Sequence, residues 1–226
     1  MIMHNMVINF ANKLEKISRR IKKKIQKKTL ESFLKKYSLI EAEQNTKSDI
    51  RFNPYEGTNL LLIDELINSG VIGTEDKILD VGCGSGIFII YLYEHGFINL
   101  AGVEINADLF ELCKENMRKY FQVKNMTCNI ETVCENALEM RIDDDTNCFY
   151  LFNTFYDQNT YAAWLSKVEQ SLERKKRDLK IIILFPTVAS MAAMRNCNWL
   201  YEGERIVCKA QKCYQCMNFI VYRNKE

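Results

Sequence analysis

The chain has 226 residues, of which 47% are hydrophobic, enough to bury a sizeable core, so disorder of the whole chain is excluded. Its formal net charge is +2, but residues 13–36 hold eleven Lys and Arg against two Glu, so this segment carries +9 and the remainder −7. No apolar run approaches the ~20 residues that span a bilayer, and the start of the chain lacks the order of a signal peptide. We therefore expect a cytoplasmic protein, at most peripheral at a membrane, whose nine cysteines are reduced.

The first predicted element is a long basic helix. Apolar residues recur at helical spacing, with basic residues on the other faces, at Phe10, Leu14, Ile17, Ile21 and Ile25, and the pattern continues to Tyr37. Because a polar stretch follows over 41–49, we predict a helical extension and linker at 1–50 and a separate domain at 51–226. The basic helix has three alternatives: it packs on that domain, lies on an anionic membrane surface, or clamps the phosphates of RNA.

The remainder of the chain alternates between strands and helices. Predicted helices cover 58–70, 84–95, 107–121, 159–175 and 187–196, and predicted strands cover 77–82, 99–105, 126–135, 148–153, 179–186, 198–208 and 216–223. Nearly continuous apolar strands separated by helices are typical of a parallel sheet covered on both faces. We therefore predict an α/β fold with a doubly wound, mostly parallel, seven-stranded sheet that ends in a C-terminal antiparallel hairpin.

Three glycines follow the first predicted strand directly. Gly82, Gly84 and Gly86 allow a sharp turn and let a ligand lie against the backbone at the start of a helix. The G-x-G-x-G spacing differs from the G-x-G-x-x-G of dinucleotide sites, and Asp80 would repel a pyrophosphate but suit an ammonium group. Glu104 ends the next strand, where a carboxylate typically accepts hydrogen bonds from ribose hydroxyls.

The segments "ILDVGCGSG" and "LAGVEIN" resemble the class I S-adenosylmethionine-dependent methyltransferase family, and the resemblance covers roughly 55–223. It implies that S-adenosylmethionine is the cofactor and that residues 51–226 form the methyltransferase domain. The cofactor-binding residues it implies are Tyr55, Asp80, Gly82, Cys83, Gly84, Gly86, Glu104, Ile105, Asn136 and Ala137. A loop that uses its glycines only for packing and a nicotinamide-dependent oxidoreductase are the alternatives.

The resemblance also implies individual roles along the cofactor. Asp80 would lie near the amino acid end, Glu104 would bind the ribose, and Ile105 would pack on the adenine. Asn136 and Ala137 stand where the family often has an acidic residue followed by Ala near the adenine.

The acceptor site is predicted just past the fourth strand. Residues 153–156, Asn-Thr-Phe-Tyr, resemble the Asn-Pro-Pro-Tyr/Phe and Asn-Pro-Phe motifs of amino-group methyltransferases but lack the prolines. The resemblance implies that Asn153 accepts a hydrogen bond from the target amine, and Asp157 is the nearest candidate base. The alternatives are a turn role for Asn153 and a helix-capping role for Asp157.

The sequence therefore predicts a methyltransferase acting on a small molecule, glycan or protein, at an amine or hydroxyl. The alternatives are an RNA methyltransferase guided by the basic helix and a non-catalytic cofactor-binding protein that docks on membrane or RNA through that helix. Cys208, Cys213 and Cys216 offer three thiols, and since zinc sites usually need four ligands, no metal is expected.

Overall fold

A computed structural model describes residues 2–42, 53–207 and 219–225, which form six helices and seven strands. The helices are α1 (Ile2–Tyr37), α2 (Leu60–Asn68), α3 (Ile87–Glu94), α4 (Ala107–Lys124), α5 (Gln158–Arg174) and α6 (Val188–Asn196). The strands are β1 (Ile78–Val81), β2 (Leu100–Glu104), β3 (Glu131–Cys134), β4 (Cys148–Phe152), β5 (Lys180–Leu184), β6 (Leu200–Ile206) and β7 (Phe219–Asn224).

The seven strands form one sheet in the order β3-β2-β1-β4-β5-β7-β6. The first five are parallel, while β7 pairs antiparallel with both β5 and β6. From β1 the chain adds β2 and β3 on one side of the sheet and then adds β4 and β5 on the other side of β1. Ligands of such folds bind beyond the carboxyl ends of the strands where this order reverses, between β1 and β4. The predicted doubly wound sheet with an antiparallel C-terminal hairpin is confirmed.

Each face of the sheet carries its own apolar core. Successive side chains of a strand point to opposite faces, so Ile78 packs with α1 to α4 on one face, while Leu79 and Val81 pack with α5 and α6 on the other. By the same alternation Asp80 lies on the face of Ile78. This places a carboxyl group inside the layer between β1 and the helices α2 and α3.

The third strand is shorter than the predicted 126–135. β3 covers only Glu131–Cys134, because Asn125 ends α4 in a left-handed conformation with φ 52° and the next four residues are exposed. The ends of the last two predicted strands, at 208 and at 216–218, lie outside the described residues, as do the three cysteines considered for metal binding.

The end of the basic helix belongs to the main core. Leu30, Phe33 and Leu34 pack against that core and Tyr37 is fully buried in it. Residues 30–40 are therefore packed on the sheet domain, in keeping with the first alternative for this helix. The division of the chain at residue 50 stays a prediction.

Glu94, at the end of α3, holds this helix end in place. Its carboxylate accepts hydrogen bonds from Tyr37 and Lys36 of α1 and from Tyr120 of α4, and it pairs with Lys124 at 2.7 Å. Burial raises the pKa of Glu94, but the bonds from Lys124, Tyr120, Tyr37 and Lys36 outweigh burial and lower the pKa to about 2. The carboxylate stays charged and ties α1 to α3 and α4.

Candidate active site

The glycine loop turns between the end of β1 and α3. Gly82, Gly84 and Gly86 all have positive φ, at 84°, 52° and 77°, a region that disfavours side chains with a Cβ. The N–H groups of Gly82 and Cys83 donate to the Val103 carbonyl at 2.8 and 3.0 Å. The loop is thereby fastened to the end of β2, which carries Glu104.

Tyr55 lies directly over this loop. A Cβ at Gly84 would fall 2.2 Å from the Tyr55 ring, and one at Gly82 would fall 3.3 Å from the Thr154 methyl group. The Tyr55 hydroxyl donates to the Glu41 carboxylate and shares a 2.7 Å hydrogen bond with the Ser85 hydroxyl. Burial raises the pKa values of both Glu41 and Tyr55. Glu41, which fell in the predicted linker, thus helps to hold Tyr55 over the glycines.

Cys83 and Gly86 serve packing against α4. A Cβ at Gly86 would fall 2.6 Å from the Cys113 sulfur. A hydrogen bond with Cys113 and burial raise the pKa of the Cys83 thiol, so it is a protonated core group. These two residues shape the loop rather than line the main cleft.

Asp80 and Glu104 are two buried carboxyl groups with different surroundings. The two oxygens of Glu104 accept 2.8 Å hydrogen bonds from the N–H groups of Gly84 and Asn106, and its pKa is raised by burial. Asp80 is 4% exposed, and among the described residues no group donates to it. Burial, followed by repulsion from Glu104, raises the pKa of Asp80 well above its ordinary value.

A cleft opens beside the glycine loop at the carboxyl ends of the strands. Its lining residues are Asn53, Pro54, Tyr55, Glu56, Gly82, Val103, Glu104, Ile105, Asn106, Leu109, Glu135, Asn136, Ala137, Phe152, Asn153, Thr154 and Phe155. Asp80 and Cys83 line a smaller cavity on the other side of Tyr55. The structure therefore brings together most of the predicted cofactor residues and the predicted acceptor residue Asn153 around one opening.

Asn136 and Ala137 form the wall beyond β3. The Asn136 amide caps a turn, because its oxygen accepts from the Leu138 N–H at 3.0 Å and its nitrogen donates to Glu139 at 3.1 Å. Ala137 is buried and Ile105 is 40% exposed. Both present apolar surface to the cleft.

The segment after β4 lines the same cleft as Glu104. Asn153 has a left-handed backbone with φ 52°, and its amide nitrogen donates to the Pro54 carbonyl at 3.1 Å. That orientation leaves the Asn153 amide oxygen as an acceptor. Phe155 is buried, whereas Tyr156 is 67% exposed. The segment is held by hydrogen bonds from Thr154 to the Val81 carbonyl and from Asn53 to the Phe155 carbonyl, at 2.8 and 3.0 Å.

Asp157 is the N-cap of α5. One of its oxygens accepts from the N–H groups of Asn159 and Thr160, and the other accepts from the Thr160 hydroxyl at 2.6 Å. These bonds, led by that of the Thr160 hydroxyl, lower the pKa of Asp157. Asp157 does not line the cleft. The capping alternative describes this geometry, and nothing in it supports a catalytic base.

Sequence reasoning missed three contributors: Glu41, Asn53 and Asn116. Asn116 is a buried polar residue within the apolar positions of α4, and that was the one available signal. Its amide exchanges hydrogen bonds of 2.8 and 2.7 Å with the N–H and carbonyl of Ile40 and also donates to the Ser85 carbonyl at 2.9 Å. In the described part of the chain, no group of three or more His, Cys, Asp or Glu side chains is suited to hold a metal ion.

Comparison with known proteins gives a family match for part of the chain. Residues 78–175 match the family described as "Methyltransferase domain". EEF1A lysine methyltransferase 2 of Danio rerio is 26% identical over 131 residues, which cover 58% of this chain and 52% of that protein. The same protein of Mus musculus is 22% identical over 128 residues, 57% of this chain and 48% of its own length. The chain thus spans about half the length of the curated relatives it matches.

Solved structures share the fold at low identity. The tRNA (m1A58) methyltransferase TrmI of Aquifex aeolicus is 15% identical with a TM-score of 0.53, covering 76% of this chain and 71% of that one. An RNA methyltransferase of Salinibacter ruber, solved with S-adenosyl-L-homocysteine, is 15% identical with a TM-score of 0.50 over 74% of this chain and 92% of its own. At such identity the likeness concerns the fold alone.

Proposed function

We propose that the chain is a class I S-adenosylmethionine-dependent methyltransferase, in line with its match to a methyltransferase domain at residues 78–175, and that it methylates the side-chain amine of a protein lysine. The curated relatives it matches are named lysine methyltransferases. Because the chain covers only about half of their length, the activity of the whole protein and its acceptor are our proposal.

The carboxyl group of Asp80, to which no described residue donates, carries the choice of cofactor. A buried carboxylate without a donor is unfavourable, and a cofactor with an ammonium group supplies the missing donor and charge. Gly82 is exposed and lines the cleft, and each carboxylate oxygen of Glu104 keeps a lone pair for ribose hydroxyls beyond its backbone bonds. Ile105 and Ala137 offer apolar surface suited to the adenine. The residues present therefore fit S-adenosylmethionine.

The mouth of the cleft favours a cationic acceptor. Glu56 and Glu135 line it and are exposed, and its described lining includes neither Lys nor Arg. A cleft lined by one sign of charge raises the local concentration of ligands of the opposite sign. A lysine ammonium is such a ligand, whereas the phosphates of RNA would be repelled.

Bound S-adenosylmethionine supplies an electrophilic methyl group on a sulfonium sulfur. The acceptor nitrogen must be unprotonated to offer its lone pair, and its proton leaves to solvent, since Asp157 caps a helix. In this proposal the Asn153 amide oxygen accepts a hydrogen bond from the incoming amine, because the amide nitrogen already donates to the Pro54 carbonyl. Tyr156 follows the lining residue Phe155 directly and has an exposed ring. The contribution of these residues is to hold the amine in a reactive geometry.

The test is a methylation assay with radiolabelled S-adenosylmethionine and a peptide library whose members carry lysine, trimethyl-lysine or arginine at one position. We expect label only in lysine peptides, and mass spectra that gain one methyl group. Asn153→Ala should lower kcat about tenfold or more, by the loss of one positioning hydrogen bond. Asn125→Ala is the matched control, because Asn125 has the same φ of 52° at the end of α4.

Two outcomes would contradict the proposal. Label in total RNA but not in peptides would favour the nucleic-acid alternative. Cofactor binding by calorimetry with no label in any acceptor would favour a non-catalytic binding protein.

A further inference from the structure

Helix α1 has two apolar faces, and only one of them is covered by the domain. Leu30, Phe33 and Leu34 pack against the main core. Ile17, Ile21 and Ile25, here called the isoleucine face, are 44%, 54% and 50% exposed. Isoleucine is usually buried, and a row of exposed isoleucines is typical of an interaction surface.

The two faces lie on opposite sides of the helix. An α-helix has 3.6 residues per turn, so the nine residues from Ile21 to Leu30 correspond to about 900°, or two and a half turns. The side that packs on the domain at the end of α1 is therefore turned away from the isoleucine face. The domain cannot cover both faces of this helix at once.

Basic side chains adjoin the isoleucine face. Lys16, Arg20, Lys24 and Lys28 are exposed, as are Lys23 and Lys27, and residues 13–36 carry +9 in the sequence. A surface partner of α1 therefore has to accept apolar side chains and positive charge together.

We propose that the isoleucine face and its flanking lysines dock α1 on an anionic membrane surface. An interfacial helix buries its apolar face at the boundary between headgroups and acyl chains, while anionic lipids attract its basic residues. A nucleic acid would use the charge but leave the isoleucines in water, and a second copy of the helix would bring two strongly positive segments together. The described helices include none long and apolar enough to cross a bilayer, so the helix lies along the surface.

The test is flotation of the full chain with vesicles of phosphatidylcholine alone and of phosphatidylcholine mixed with phosphatidylglycerol. We expect binding to the mixed vesicles only, weakening as salt is added. The triple variant I17Q/I21Q/I25Q should weaken binding about tenfold or more, since three apolar anchors are lost. The matched variant I17L/I21L/I25L should bind like the wild type. Both variants should keep the wild-type unfolding midpoint, because the replaced side chains are half exposed.

Four results would overturn this inference. The first is equal binding of the glutamine variant and the wild type to mixed vesicles, and the second is no binding of the wild type to these vesicles. The third is binding to a polyuridine oligonucleotide, but not to mixed vesicles, that the glutamine variant retains. The fourth is concentration-dependent dimerisation in sedimentation equilibrium that the glutamine variant abolishes. Methylation of peptides in solution does not require docking, so failure here is distinguishable from failure of the proposed function.

Discussion

A buried aspartate lies near each end of strand β1, and the two aspartates differ in their ion pairs and hydrogen bonds. Asp76 precedes the strand and is 4% exposed, like Asp80 near its carboxyl end. Asp76 pairs with Lys180 at 2.7 Å and accepts from the Gly73 N–H and the Asn147 amide at 2.8 and 3.0 Å. Asp80 has no donor among the described residues.

The comparison separates a structural carboxylate from one reserved for a ligand. A buried charge is tolerated when it is paired and hydrogen-bonded, which is the case at the amino end of the sheet. Asp80 instead lines a cavity beside the glycine loop, and buried carboxyl groups with a raised pKa concentrate at functional sites. The partner of Asp80 should therefore arrive with the cofactor.

The largest effect on stability is expected from removing the cation that pairs with Asp76. Lys180→Met leaves Asp76 buried without its cation and should lower the free energy of unfolding by about 3 kcal/mol or more, measured in urea. Lys77→Met is the matched control, because Lys77 also pairs at 2.7 Å, with Asp143, but both side chains are substantially exposed. That pair should contribute under about 1 kcal/mol. Equal losses in the two variants would contradict the structural role assigned to Asp76.

Replacing Asp80, at the other end of the strand, should change stability in the opposite direction. Asp80→Asn should weaken S-adenosylmethionine binding by about tenfold to a hundredfold, since a charged hydrogen bond contributes about 1.5–3 kcal/mol. The same change should raise the unfolding free energy of the unliganded protein at neutral pH. Calorimetric titration and urea unfolding measure the two quantities. Unchanged cofactor affinity would remove Asp80 from the site.

The pH dependence of stability sharpens this second prediction. The pKa of Asp80 is raised in the folded protein, so the folded state binds more protons than the unfolded state above the unfolded pKa of about 4. Stability therefore falls as pH rises from about 4 through the folded pKa. The gap between Asp80→Asn and the wild type should widen over that range. Burial also raises the pKa values of Glu41 and Glu104, but both groups are present in either protein.

The smallest effect is expected from replacing Asp157, whose two carboxylate oxygens both accept hydrogen bonds from the first turn of α5. Asn is as good an N-cap as Asp, so Asp157→Asn should change the unfolding free energy by less than about 0.5 kcal/mol. The rate of peptide methylation should be nearly unchanged. A general base typically contributes about a hundredfold or more, so a fall of that size would restore Asp157 as the base.

The fold class and the glycine loop were predictable because their signals are local. Strand alternation, the three glycines and the acidic residues beside them lie within about 30 positions, and residues 78–175 match the methyltransferase family. The prediction of a strand at 126–130 was wrong, although the composition of this segment suits a strand. In the structure Asn125 has a left-handed backbone conformation and directs the segment into solvent.

The remaining parts of the site depend on contacts between distant positions. Asn116 and Ile40 are 76 residues apart, and Lys180 and Asp76 are 104 apart. No short pattern shows that a carboxylate in a polar stretch, Glu41, meets the tyrosine over the glycine loop. Which of two buried aspartates has a cation also depends on the packed sheet, so it was not predictable from the sequence.

The hydrogen bonds of Asn116 limit how freely this protein can exchange parts. Its amide is fully buried and joins the backbone of Ile40, after the basic helix, to the backbone of Ser85 in the glycine loop. A chimera with a foreign N-terminal helix would leave that amide without two of its bonds unless the new chain followed the same path. The end of the helix and the glycine loop therefore form one module, and grafts between related proteins should take both together.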